Sequence, residues 1–379
     1  MKHLQPPNSM SKRLDQDERI VMTLDAGGTN FKFSAVQGNK PAIEAFSVPS
    51  KAHDLELCLG TLIQGFKKVR DSLTAAPSAI SFAFPGPSDY AHGIIGDLHN
   101  LPCFRGGVAL GRMLEEIFGI PTYINNDGDL FVYGEAIAGL LPYTNRLLEE
   151  AGSPKRYRNL FGVTLGTGFG GGITSDGRLL PGDNICAAEV WILRNKLDPG
   201  MPAEEGACIR AVRSAYAEQA GIAFDDSPNP REIYEIGTGD LRGNQQAAIA
   251  AYQRLGEVVG DAMAHALTLV DGLAVIGGGV SGAWPLFLPS IIKELNSNFH
   301  KPSGEPVRRL TQQAFNLEDQ AHLDVFLRGD TREVVVPGTM HTVQYDPMPR
   351  TGVGMSRLGT SEAVAIGAYA YALKQLDSL

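Results

Sequence analysis

The twelve residues GVTLGTGFGGGI, positions 162–173, constrain this chain more than any other stretch. They contain Gly166-x-Gly168-x-x-Gly171, the letters of a dinucleotide fingerprint, and Glu189 follows 18 residues after Gly171. In a dinucleotide-binding unit such glycines open a helix, whose N-terminus receives the pyrophosphate. Here ITSDGRL follows Gly172, which reads as a short strand and a tight turn. The helix is missing, and the dinucleotide reading loses its main support. The same strand–turn–strand pattern occurs in RIVMTLDAGGTNFKFSAV, where an apolar run meets Gly27-Gly28-Thr29 and alternation resumes after it. Two glycine hairpins about 140 residues apart imply a duplicated architecture with facing phosphate-binding turns.

The rest of the chain reads as alternating strands and helices. AISFAFPGP is a buried strand closed by a Pro-Gly-Pro loop, and IPTYIN is another, ending in NDGD before a helix. GGVALGRMLEEIFG carries apolar residues at helical spacing, and AAIAAYQRLGEVVGDAMAHALTLV is a long helix leading into the strand GLAVIGGGV. Residues 285–357 are harder to read, with one helix (FLPSIIKELN), one candidate strand (EVVVPG) and much Pro/Gly-rich loop. At 379 residues the chain is long enough for two domains.

Charge narrows the function classes. A formal net charge of −9 argues against nucleic acid or an anionic membrane as partner, since both need a basic footprint. A small anionic ligand remains compatible, because glycine-loop amides bind phosphate without net positive charge. The four cysteines (Cys58, Cys103, Cys186, Cys208) include no CxxC pair and form no disulfide framework. The first 18 residues lack an apolar core, and no run approaches a membrane span. A soluble, cytoplasmic protein is expected.

Six segments in order resemble the sugar kinases of the actin/hexokinase superfamily, and within it the ROK family (repressors, open reading frames, kinases). They are DAGGTNFKFSAV, FAFPGPSDYAHGIIGDLHNLPCFRG, INNDGDLFVYGEA, TLGTGFGGGI, VIGGGVS and LGTSEAVAIGAYAYA. The resemblance implies an α/β fold of two ribonuclease-H-like domains around a cleft. The smaller domain is expected at 19–125 plus 358–379, and the larger, ATP-binding one at 126–357. It also implies transfer of the γ-phosphoryl group of Mg·ATP to a hydroxyl of a hexose or modified hexose. The alternative is a non-catalytic sugar-sensing or regulatory member. A repressor would need a helix-turn-helix ahead of the first strand, where only about 19 residues stand.

Residue roles follow from the same resemblance. Asp127 is the general base, which phosphoryl transfer to a hydroxyl needs beside that hydroxyl. In isolation its sequence context reads more readily as a turn and helix cap. Asp25 helps hold Mg²⁺ through water, while Gly27, Gly28, Thr29 and Asn30 form the first phosphate loop. Gly166, Thr167, Gly168 and Gly170 form the second, and Gly277, Gly278 and Gly279 pack under adenine and ribose. Gly86, Asn100, Asn126, Asp127 and Glu189 face the sugar. Asp129 stands where the family usually has Asn. No nucleic acid or membrane partner is expected, and the oligomeric state is open between monomer and homodimer.

One segment departs from the family. The pattern there resembles GEIGH followed by a zinc segment, CxCGxxGCxE. In AAEVWILRNKLDPGMPAEEGACIRA, Trp191-Ile192 stands for Gly-His, only Cys208 remains of three cysteines, and Arg210 replaces the second acid. One cysteine cannot make a structural zinc site, which wants four N/S ligands. No zinc is expected, and MPAEEGAC is expected to be held by packing alone. In the family the two Glu and the His grip the sugar near C1 and C2. Losing the His and the second Glu points to an acceptor altered there (a ketose, an N-acetylated or otherwise modified aldose, or an acidic sugar) or, equally, to a shifted loop that supplies substitutes and still takes glucose.

Overall fold

The computed structural model describes residues 14–27, 29–86, 88–96 and 101–378. The chain divides into two compact units. The first runs through Gly139 and takes in Gly172–Ala187 and Leu358–Leu379; the second comprises Leu140–Gly171 and Ala188–Arg357.

The first unit is built on strands β1 (Val21–Ala26), β2 (Asn30–Gln37), β3 (Lys40–Pro41), β4 (Phe46–Pro49), β5 (Ala79–Ala83) and β6 (Thr122–Asn125). Their order is β3-β2-β1-β5-β6, with β4 also pairing with β2. The hairpin β1–β2 is antiparallel, whereas β5 runs parallel to both β1 and β6. Every residue of β5 is buried, as expected of a strand covered on both faces. On one face Met22, Leu24, Phe31, Phe33 and Phe82 pack with Leu62, Phe66 and Val69 of the helix Leu55–Ser72. On the other, Val21, Val36 and Ala79 meet Tyr133 and Ile137 of the helix Asp127–Ile137 and Tyr369 and Leu373 of the helix Thr360–Leu376. These two helices touch through glycine: a Cβ on Gly134 would fall on the Ala363 carbonyl, and one on Gly367 on that of Leu130.

The second unit holds β7 (Asn159–Leu165) and the start of β8 (Phe169–Ser175); from Gly172 on, β8 and its partner β9 (Arg178–Leu179) fall in the first unit. The second unit continues with β10 (Leu273–Gly277), the ribbon β11 (Asn298–His300) and β12 (Pro306–Arg308), β13 (Gln313–Asn316), the ribbon β14 (Arg332–Val335) and β15 (Thr342–Tyr345), and β16 (Arg350–Met355). The main sheet runs β13-β16-β10-β7-β8, with β10 parallel to both β16 and β7. The helices Gln245–Val270 and Trp284–Leu295 pack together at glycines: a Cβ on Gly256 would meet the Phe287 carbonyl and Ser290. Both units are α/β, each with a glycine hairpin, as the sequence led one to expect.

Candidate active site

In the first unit, parallel pairing brings three strand ends into line. Asp25 of β1 is in register with Ala83 of β5, and Ala83 with Asn125 of β6. Carboxyl ends of parallel strands are where ligands bind in open α/β sheets, since the loops diverge there. Asp25 is the one exposed residue of β1, and the Ser361 hydroxyl donates to its Oδ2 at 3.3 Å. The hairpin tip is closed by Gly27 N–H donating to the Asn30 carbonyl at 3.0 Å, with Gly27, Thr29 and Asn30 all exposed. Gly28 and Asn100 lie outside the described residues.

After β5 the chain turns at Gly86. A Cβ there would lie 2.6 Å from the Tyr90 hydroxyl and 3.4 Å from Asn126 Nδ2. Tyr90 uses that hydroxyl to donate to the Phe84 carbonyl at 2.8 Å, so glycine lets the tyrosine lock the loop. Tyr90 carried no signal in the sequence, being one aromatic residue in a loop.

After β6, Asn126 caps the helix Asp127–Ile137, its Oδ1 accepting the Gly128 N–H at 2.8 Å. That bond turns the Asn126 amide nitrogen outward, toward the Gly86 loop. Asp127 Oδ1 also accepts from Gly128 N–H, at 2.9 Å. With Asn126 capping, helix initiation does not depend on Asp127. Asp127 is exposed as a residue, yet the protein packed around its carboxyl weakens hydration and pushes its pKa above the ordinary value. The Gly128 and Asp127 backbone N–H groups oppose this, and the Asp25 charge adds to it. Asp129, two residues on, is buried.

In the second unit the β7–β8 turn closes by Gly166 N–H donating to the Gly168 carbonyl at 3.0 Å, leaving Thr167 exposed at the tip. A second glycine turn, after β10, backs directly onto it. Gly278 has φ +95°, and a Cβ there would fall on the backbone of Leu165, the residue before Gly166. Val280 N–H donates to the same Leu165 carbonyl at 2.9 Å. Gly279, by contrast, has open space around its Cβ position. The structure thus joins Gly166–Gly170 and Gly277–Gly279 into one glycine-rich surface, and proximity of this kind suits a single extended ligand.

The departing segment also packs on this hairpin. A Cβ on Gly171 would meet the Ala188 carbonyl at 2.6 Å and Val190 at 3.0 Å, which seats Glu189 beside β8. The Trp191 indole N–H donates to Glu189 Oε2, and Trp191 and Ile192 are exposed. Packing alone does not hold MPAEEGAC, contrary to the sequence expectation. Glu204 accepts the Phe169 N–H at 2.9 Å, and Ile209 N–H donates to the Gly166 carbonyl at 2.8 Å. Arg210 pairs with Glu205 at 2.6 Å, and Cys208 is buried. Among the described residues no three His, Cys, Asp or Glu side chains converge as a metal-binding group. The single Cys208 does not fit the family's zinc. Metal analysis of the purified protein is expected to find zinc well below one per chain; a stoichiometric zinc would contradict this.

The ROK family model matches residues 21–322. The chain is similar to the crystal structure of a glucokinase from Parabacteroides distasonis, with 53% identity, 95% of this chain and 99% of that chain covered, and a TM-score of 0.87. It is also similar to the N-acetyl-D-glucosamine kinase of Vibrio atlanticus, 30% identical over 46% of this chain, a match spanning about half (52%) of that relative's length. The N-acetyl-D-glucosamine kinase of Vibrio parahaemolyticus is 25% identical over 68% of this chain and 83% of its own length.

Proposed function

This chain belongs to the ROK family, and on that premise we propose that it transfers the γ-phosphoryl group of ATP to a hydroxyl of a hexose or modified hexose. The observation carrying the proposal is Asp127. It opens the helix that follows β6, whose last residue Asn125 aligns through Ala83 with Asp25. Asn126 serves as the helix cap, and the protein around the Asp127 carboxyl raises its pKa above that of an ordinary aspartate. A base matched to its working pH takes a hydroxyl proton most effectively.

In this reading Thr29, Asn30 and the Gly27 turn of the first unit hold phosphate, and Gly166, Thr167, Gly168 and Gly170 of the second do the same. Gly277–Gly279 take the adenosine end. Asp25 suits a Mg²⁺ held through water, since that ion commonly keeps its waters and leans on one or two carboxylates plus substrate phosphates. The ion would neutralise phosphate charge. Asp127 accepts the proton of the acceptor hydroxyl, and the outward Asn126 amide donates to the sugar.

Arg210 is paired with Glu205, so that cation is not free for an acidic sugar. Neutral aldoses fit better, and the two kinase activities named among the relatives involve neutral aldoses. Glu189, held by Trp191, keeps the first acid of the family pattern, while the exposed indole face and Ile192 stand where the family has Gly-His. We expect kcat/KM for N-acetylglucosamine to equal or exceed that for glucose. Steady-state kinetics over glucose, N-acetylglucosamine, fructose and glucuronate, with the product identified by phosphorus NMR, tests this. Glucose preferred tenfold over every alternative would contradict the specificity assignment. A panel with no phosphorylated product would favour the sugar-sensing reading.

A further inference from the structure

The second glycine loop is gripped by an acidic side chain. Glu204 sits in a single turn of 3-10 helix, Ala203–Gly206, and its Oε2 accepts the Phe169 N–H at 2.9 Å. The same oxygen would lie 2.6 Å from a Cβ on Gly168, so the carboxylate lies directly over the loop backbone. Glycine at 168 is what lets it approach. Five residues on, Ile209 N–H donates to the Gly166 carbonyl at 2.8 Å. The segment therefore grips both ends of the turn 166–169. Next door, Glu205 is occupied by Arg210 at 2.6 Å, and the Glu204 carboxylate has no cation within ion-pair distance among the described residues.

We propose that Glu204 is a positioning residue for nucleotide phosphate: it fixes the Gly166–Gly170 loop through the Phe169 N–H, at the cost of placing a like charge beside the phosphates. This rests on reading that loop as a phosphate loop. A hydrogen bond to a charged acceptor is stronger than a neutral one, and losing it leaves Phe169 N–H unpaired. A carboxylate next to a bound polyanion repels it, less strongly where water screens. The two effects oppose each other, and different substitutions separate them.

Glu204→Gln keeps an acceptor oxygen and removes the charge; Glu204→Ala removes both. Relative to wild type, Glu204→Gln is expected to keep kcat within about twofold and to lower KM for ATP by up to about tenfold. Glu204→Ala is expected to raise KM for ATP about tenfold above that of Glu204→Gln and to lower kcat. KM for the sugar should stay constant in both, and amide exchange at Phe169 should accelerate only in Glu204→Ala. Should Glu204→Ala not fold, Glu204→Asp, one methylene too short to reach Phe169, must show the same loss. Equal KM for ATP in the Gln and Ala (or Asp) variants, with ATP binding retained by wild type, would overturn the proposal. Wild type that binds no ATP would instead sink the phosphate-loop reading on which it stands.

Discussion

Replacing Asp127 by Asn is expected to lower kcat by roughly 10²–10⁴-fold while ATP affinity stays within about twofold. Asn is nearly isosteric, so the acceptor stays in place and only the proton acceptor is lost. The fold should not suffer. Asn126, not Asp127, caps the helix, and the Gly128 N–H retains that partner at 2.8 Å. Stability should move the other way. The Asp127 pKa is raised in the folded protein, so the folded state binds that proton more tightly than the unfolded chain does. Its favourable contribution is therefore complete below the unfolded pKa and is lost as pH rises through the folded pKa. At neutral pH the variant should melt at the same or a higher temperature than wild type, with the difference shrinking in acid. The same shift places the acid limb of kcat/KM above the ordinary carboxylate range. Activity within tenfold of wild type would reduce Asp127 to a helix residue.

Gly278→Ala is expected to destabilise the protein by about 3 kcal/mol or more and to abolish ATP binding in what remains folded. Two causes add. The left-handed backbone at φ +95° disfavours any side chain, and the new methyl would fall on the Leu165 backbone, which cannot move without displacing β7 and Gly166. Gly279→Ala is the matched control. Its Cβ position meets open space, so stability should hold, and weaker ATP binding there would report contact with the nucleotide itself. Thermal melts and calorimetry on both variants check this. Gly278→Ala with wild-type stability would contradict the packing described.

The α/β architecture was legible because its decisive features are local. A missing helix after Gly172, a second Gly-Gly hairpin and continuous apolar strands such as AISFA are read within a few residues of one another. What escaped depends on distance in sequence. Glu204 reaches Phe169 across 35 residues, and nothing in AEEG marks one glutamate as turned inward. Gly134 and Gly367 sit inside helices, where glycine reads as a weakness until the partner helix is seen against it. The strand β15, whose partner β14 was legible in EVVVPG, escaped for another reason: all four of its residues are exposed, so no buried face imprints alternation on TVQY.

The central claim is that phosphate leaves ATP only for a sugar. The direct measurement is coupled ADP release by wild type with Mg·ATP, with and without glucose or N-acetylglucosamine, beside Asp127→Asn under identical conditions. The account predicts ADP release that depends on sugar in wild type and falls at least 10²-fold in the variant, with ATP binding by calorimetry equal in both. No ADP release with any sugar, together with no ATP binding, would contradict it.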